Sequence, residues 1–150
     1  MQRAELTEQI GKLNIKASDV GVCEVSFNEE VLETNENIWT IQCEMQLKEY
    51  FNKKREIFTI PLDIKGTTFQ KQVWEALCKI PYGTTCSYKD IAHMIQNPKA
   101  VRAIGNANHK NPIAIIIPCH RVIAYDKSIG GYAFGTDIKK YLLDLECGDI

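Results

Sequence analysis

Ser87-Tyr88-Lys89-Asp90-Ile91-Ala92-His93-Met94-Ile95 and, past a break at Asn97-Pro98, Lys99-Ala100-Val101-Arg102-Ala103-Ile104-Gly105-Asn106-Ala107 carry the architecture of this chain. Ser87 is suited to cap a helix running from Tyr88 to Ile95, with Ile91, Ala92 and Ile95 turned inward. Pro98 suits the first turn of a second helix, where its missing N–H costs nothing. Two short helices joined by a tight turn form the helix-turn-helix arrangement, in which the second helix enters a DNA groove. That second helix is rich in Ala and Gly, so its backbone can approach another surface closely. Such helices also pack inside ordinary cores, and the pattern alone leaves both readings open.

Upstream, Thr67 or Thr68 can cap a helix with Phe69, Val73, Trp74 and Leu77 on one face. Ile80-Pro81-Tyr82-Gly83 is a turn by composition. Downstream, the apolar run Ile113-Ala114-Ile115-Ile116-Ile117 delivers Pro118-Cys119-His120-Arg121-Val122. Thiolates gain reactivity beside cationic groups, so Cys119 has the company a nucleophile needs. A free cysteine is also commonly a small buried hydrophobe. A last helix is expected over Ile138 to Glu146.

The first 62 residues read differently. Val20 to Phe27 has the mixed alternation and β-branching of a strand. Asn37 to Asn52 places Ile38, Ile41, Met45 and a Leu47/Tyr50/Phe51 cluster at roughly helical spacing. Ile57 to Leu62 is a short strand ended by proline. These pieces form a small α+β lobe without any sign of chemistry. Residues 1–62 carry a net charge of −4 and residues 63–150 a net +3. The excess concentrates in residues 65–121, with eight basic side chains against Glu75 and Asp90. A local excess of that size suits a polyanion, although solvated lysines on an ordinary surface look the same.

No apolar stretch reaches membrane-spanning length, and the N-terminus lacks the form of a signal peptide. The six cysteines contain no Cys-x-x-Cys pair and make no zinc pattern with the three histidines. A reduced cytosolic protein, without metal or membrane partner, is the expected setting.

Several motifs in this order resemble the O6-alkylguanine-DNA alkyltransferases, the methylated-DNA–cysteine methyltransferases. They are Pro61-Leu62-Asp63, Gly66-Thr67-x-Phe69-Gln70, Val73-Trp74, Ile80-Pro81-Tyr82-Gly83, Ser87-Tyr88, Asn97-Pro98-Lys99-Ala100, Arg102-Ala103, Asn111-Pro112 and Pro118-Cys119-His120-Arg121-Val122. The resemblance implies an α+β fold in two domains. Residues 1–62 would form a small ribonuclease H-like α/β lobe. Residues 63–150 would form a mostly helical domain with a winged helix-turn-helix-like DNA-binding unit. It also implies direct damage reversal: double-stranded DNA containing O6-alkylguanine is bound, the lesion is flipped out, and its alkyl group moves once to Cys119. No cofactor is implied, and the protein would act as a monomer in the cytoplasm, or in the nucleus of a eukaryote.

Roles follow from the same resemblance. Lys99, Ala100, Arg102 and Ala103 would contact DNA along the minor groove, with Arg102 filling the gap left by the flipped nucleotide and Tyr88 pressing on the adjacent phosphate. His120 would take the thiol proton through a water, and Glu146 would orient the imidazole. Tyr132 would donate to a ring nitrogen of the leaving guanine. The backbone carbonyls of Cys119 and Val122 would accept from its exocyclic amine. Asn111 would brace the turn before the active segment, and Arg121 would tie that segment down.

Where some members carry Ser-Gly after the pocket tyrosine, this chain has Ala133-Phe134. Phe134 is expected to narrow the pocket and favour methyl over bulkier lesions. Three other readings compete: a non-catalytic lesion sensor, a helix-turn-helix regulator, and a cysteine hydrolase. Cys119 argues against the first, and no oxyanion-hole signature supports the last.

Overall fold

The computed structural model describes residues 2–7, 11–27, 36–124 and 126–149. The chain divides into two compact units, Met1–Lys65 with Pro112–Ala114, and Gly66–Asn111 with Ile115–Ile150. The division lies three residues beyond the expected 62/63 boundary, and residues 112–114, from within the expected second domain, belong to the first unit.

In the first unit, β1 (Gln2–Thr7), β2 (Gly11–Ala17) and β3 (Val22–Phe27) form an antiparallel sheet in that order. Leu13, Ile15, Val22 and Val25 are buried, and α1 (Ile38–Phe51) packs against the sheet. Asn37 caps this helix by accepting from the Trp39 and Thr40 amides at 2.9 and 3.1 Å.

The helix lies where the spacing over Asn37 to Asn52 puts it, and its buried face is a separate matter. Ile38, Ile41 and Met45 are 60%, 50% and 55% exposed, while Thr40, Cys43, Gln46, Leu47 and Tyr50 are buried. A polar residue can hold an inward position because its amide is satisfied. Gln46 Nε2 donates to Thr59 Oγ1 at 2.9 Å, and its Oε1 accepts from the Thr59 amide at 3.0 Å.

The strand expected over residues 57–62 reduces to a single parallel bridge between Leu62 and Val22. The Val22 amide donates to Pro61 O at 2.9 Å, and the Asp63 amide returns to Val22 O at 2.8 Å. Gly21 permits this approach, since a Cβ there would lie 2.5 Å from Pro61 O. Val25 likewise bridges Ile113, which brings residues 112–114 into this unit.

The second unit is built from α2 (Thr68–Leu77), β4 (Cys86–Ser87), α3 (Tyr88–Met94), α4 (Val101–His109), β5 (Val122–Ile123) and α5 (Thr136–Cys147). Capping boxes start α2 and α3, pairing Thr67 with Gln70 and Ser87 with Asp90. Helices α2, α3 and α4 pack on one another, and Trp74 Nε1 donates to Ala107 O at 2.9 Å. Ile91 and Ala92 are inward as expected; Ile95 is half-buried and falls just past the end of α3.

Helix α4 does not begin at Pro98. Asn97 to Ala100 close a turn, the Ala100 amide donating to Asn97 O at 3.0 Å, and helical geometry starts at Val101. Proline's fixed φ suits the second position of such a turn as well as it suits a first helical turn, so composition could not separate the two. Ser87 is both the last residue of β4 and the cap of α3. Because β4 pairs in parallel with β5, Cys86 opposite Val122, the start of α3 is fixed beside the segment that follows Cys119.

Candidate active site

The apolar run entering the site turns sharply. Residues 114–116 form a turn in which buried Ile115 has φ 73°. A β-branched residue in the left-handed region is strained by about 1–3 kcal/mol and persists only where its surroundings hold it. Asn111 supplies one such restraint, its Nδ2 donating to Ile117 O at 2.7 Å. Pro118 then leads into a single 3₁₀ turn, Cys119–Arg121, whose three side chains are all buried.

One carboxylate organises this turn. Glu146 Oε2 accepts from His120 Nε2 at 2.6 Å and from Arg121 Nη2 at 3.0 Å. Its Oε1 accepts from Arg121 Nε at 2.7 Å and from the Gly83 amide at 3.2 Å. Arg121 Nη1 donates to Ile80 O at 2.8 Å. The Ile80–Gly83 turn is therefore a structural partner of the cysteine segment. Burial alone would raise the Glu146 carboxyl, but the hydrogen bonds from His120 and Arg121, with the guanidinium charge of Arg121, hold it well below the usual carboxylate range.

The tautomer of His120 follows from the same contact. With Nε2 donating to a carboxylate, Nδ1 carries the lone pair, and it has no hydrogen-bond partner among the described residues. Complete burial holds the imidazole below its ordinary pKa against the opposing pull of Glu146, so it is neutral at pH 7. Burial also raises the Cys119 thiol, while the Asn111 amide, the Lys139 charge and the Tyr132 hydroxyl favour the thiolate. The resting site is a thiol beside a neutral base.

A cavity of about 220 Å³ is walled by Tyr88, Gly105, Asn106, Asn108 and His109 on one side and by Gly131, Tyr132 and Ala133 on the other. Tyr132 is 9% exposed and stands beside the Cys119 thiol without a well-formed hydrogen bond to it. Phe134 does not line the cavity. Its ring meets that of Tyr132 edge-on at 5.7 Å, so it buttresses the tyrosine where narrowing of the pocket was expected. On α4 and its entry, Lys99, Arg102 and Ala103 are exposed and Ala100 is half-buried.

Two residues that the sequence reading passed over belong to the site. Lys139 is fully buried on α5, its Nζ donating to Val122 O at 2.6 Å and to Gly131 O at 2.9 Å. It thus ties the strand after Cys119 to the loop bearing Tyr132. Burial, only partly offset by the neighbouring Cys119, pushes its amine down to about 8. Lys139, Leu142 and Glu146 share one buried face of α5, so a lysine seven residues before the expected carboxylate was a readable signal. Asn108 had no such signal. It is 5% exposed, lines the cavity, and sends Nδ2 towards Cys119 O at 3.5 Å. Among the described residues no cluster of three or more His, Cys, Asp or Glu side chains is placed to hold a metal, and all six cysteines are free thiols. No helix among them is long and apolar enough to cross a membrane.

Comparison with known proteins places this arrangement. Residues 68–148 match the 6-O-methylguanine DNA methyltransferase DNA-binding domain, and residues 6–64 match the ribonuclease-like domain of the same enzymes. Methylated-DNA–protein-cysteine methyltransferase of Methanosarcina barkeri is 59% identical over 101 residues, which cover 67% of this chain and 64% of the relative. The Haemophilus influenzae protein of that name is 39% identical over 146 residues, covering 91% of this chain and 81% of the relative. The crystal structure of Mycobacterium tuberculosis OGT in complex with DNA superposes with a TM-score of 0.86 at 38% identity, covering 97% of this chain and 92% of that one. Fold and site together define a two-domain protein, a ribonuclease-like domain and a DNA-binding domain that carries a buried cysteine. The chain belongs to the 6-O-methylguanine DNA methyltransferase family. The matched region spans just under two-thirds of the length of the Methanosarcina relative.

Proposed function

We propose that this protein repairs alkylated DNA by direct reversal, transferring an alkyl group from O6 of guanine to Sγ of Cys119 in a single turnover. The observation that carries the reading is buried Cys119, next in the chain to the His120–Glu146–Arg121 network, with Tyr132 beside it on the wall of a cavity large enough for a base. The exposed side of α4, with Arg102 and Ala103, would lie against the minor groove, and Arg102 would replace the flipped nucleotide in the stack. Tyr88, at the start of α3 and on the cavity wall, would press on the neighbouring phosphate. Flipping costs a few kcal/mol, less where the lesion has weakened pairing.

In the transfer, the lone pair of His120 Nδ1 accepts the thiol proton through a water, and Glu146 stabilises the resulting imidazolium. The thiolate attacks the alkyl carbon in line with the bond to O6. A carbon–sulfur bond forms as the carbon–oxygen bond breaks, and its electron pair leaves with the guanine. Tyr132 offsets that charge by donating to a ring nitrogen. A thioether is not hydrolysed, so each molecule acts once, as a monomer, wherever the DNA is: in the cytoplasm, or in the nucleus of a eukaryote.

The test is conversion of O6-methylguanine to guanine in a duplex under protein-limited conditions. Conversion should stop at one lesion per protein molecule; continued turnover would contradict the reading. The rate should also hold as pH falls through about 6.5, the ordinary histidine value. Burial lowers the pKa of His120, so its basic form persists below that point and the rate falls only at more acid pH. A one-proton loss of rate centred near 6.5 would contradict a His120 base held below its ordinary pKa by burial.

A further inference from the structure

We propose that His109 binds a phosphate flanking the flipped nucleotide, a contact made only once that nucleotide has left the stack; this rests on the alkyl-transfer reading above. His109 is the last residue of α4. It is exposed, and so is Asn106, yet both line the cavity. Asn108 and Tyr132 line it too and are buried. The exposed pair therefore marks the opening and the buried pair the depth. Arg102, Asn106 and His109 are spaced by four and then three residues, so they share one stripe of α4. The stripe that bears Arg102 thus runs into the cavity opening, about 10 Å further along the helix axis. The His109 imidazole makes no hydrogen bond or ion pair with any described residue, and among the described residues no carboxylate lines the cavity.

The dimensions of the groove select the backbone as the partner. A helix with its side chains is about 10–12 Å across and the minor groove only about 6 Å wide, so α4 rests on the phosphate walls. With Arg102 in the gap in the stack, His109 lies too far along the helix to reach the same gap. Extrusion turns the nucleotide by about 180° about its own backbone, which passes the base through the opening and draws its flanking phosphates to the rim. An imidazole at that rim presents an N–H in either protonation state, and a phosphate oxygen is an anionic acceptor. Lys110, next in the chain and exposed, adds positive potential at the same place. Tyr88, also on the cavity wall, serves one flanking phosphate, and His109 serves the other. In undamaged, stacked DNA neither phosphate is at the rim, so binding to intact duplex does not use His109.

The experiment compares transfer by the full chain and by His109→Ala, at limiting protein, from duplexes carrying one O6-methylguanine. His109 is exposed and alanine suits a helical turn, so the variant keeps the fold. The backbone is natural, or carries one uncharged methylphosphonate on the 5′ side of the lesion, on its 3′ side, or at a distant phosphate. On the natural backbone the variant should be slower by about fivefold, a modest effect for a hydrogen bond to a charged group at an exposed rim. Neutralising one of the two flanking phosphates should slow wild type by a similar factor and the variant by less than about twofold. The distant methylphosphonate should affect both proteins alike, and fluorescence titration should give both the same affinity for undamaged duplex. An unslowed variant overturns the proposal, as does equal sensitivity of the two proteins to each flanking methylphosphonate. An equal loss of affinity for damaged and undamaged duplex also overturns it, by making His109 a general backbone contact. Failure of wild type to transfer from O6-methylguanine at all would instead remove the function on which the proposal rests.

Discussion

Glu146→Ala is expected to destabilise the protein by about 3–5 kcal/mol, the usual result of stranding one member of a buried ion pair. The carboxylate side chain is 1% exposed, and the Arg121 side chain, at 7%, has no other ion-pair partner among the described residues. Without Glu146 the guanidinium keeps its bond to Ile80 O, but Nε and Nη2 lose theirs, and His120 loses the acceptor that sets its tautomer. Transfer should fall with stability. Glu146→Gln, which keeps the shape and one acceptor, should lie between the two. The pH dependence gives an independent reading. The folded carboxyl is held below its unfolded value, so from about pH 4.5 downwards the unfolded chain binds a proton that the folded chain does not. Wild-type stability should therefore decline below that point, on top of the loss that begins near pH 6.5 from His120, whose folded pKa is also lowered. The alanine variant should lack the lower component. Urea unfolding at neutral and acid pH measures both, and a neutral-pH loss under about 1 kcal/mol would show that the network is not the structural centre proposed.

The largest effect on function is expected from Cys119→Ser. Transfer should drop by on the order of 10⁴-fold or more, in line with removal of a nucleophile elsewhere. A hydroxyl is a far weaker nucleophile than a thiol at neutral pH, and His120 alone cannot compensate. The fold should survive, because the exchange is nearly isosteric and the Asn111 amide stands ready to bond the new hydroxyl. Binding to a duplex with one O6-methylguanine should persist, as α4 and the cavity are untouched. The variant would hold the lesion without repairing it. Quenched-flow transfer assays alongside fluorescence titration separate the two properties. Retained transfer would move the nucleophile elsewhere, with half-buried Cys86 on β4, which pairs with Val122, one alternative.

What the sequence made legible was local. The Thr67/Gln70 and Ser87/Asp90 spacings are capping boxes, and both helices start where those boxes put them. The Cys119 segment and the Ile80–Gly83 turn were separately recognisable, but not their joining through Glu146, which lies 63 residues from Gly83. The spacing of Ile38, Ile41 and Met45 marked α1 as a helix but not the face it buries. A satisfied Gln46–Thr59 pair and the bulk of Leu47 and Tyr50 set the buried face instead. Lys139 and Asn108 escaped for a related reason. Lysine and asparagine are ordinarily exposed; the place of Lys139 on the Leu142–Glu146 face of α5 hinted at its burial, but its partners Val122 and Gly131, and the burial of Asn108 beside Cys119, come only from contacts across the unit.

The central claim is that Cys119 itself becomes alkylated. Intact-protein mass spectrometry after incubation with a duplex containing one O6-methylguanine, followed by peptide mapping, tests it most directly. The account predicts one added methyl group per molecule, located on the peptide bearing Cys119. An unchanged mass in protein that binds the damaged duplex more tightly than intact DNA would contradict it, and would make the chain a sensor of the lesion.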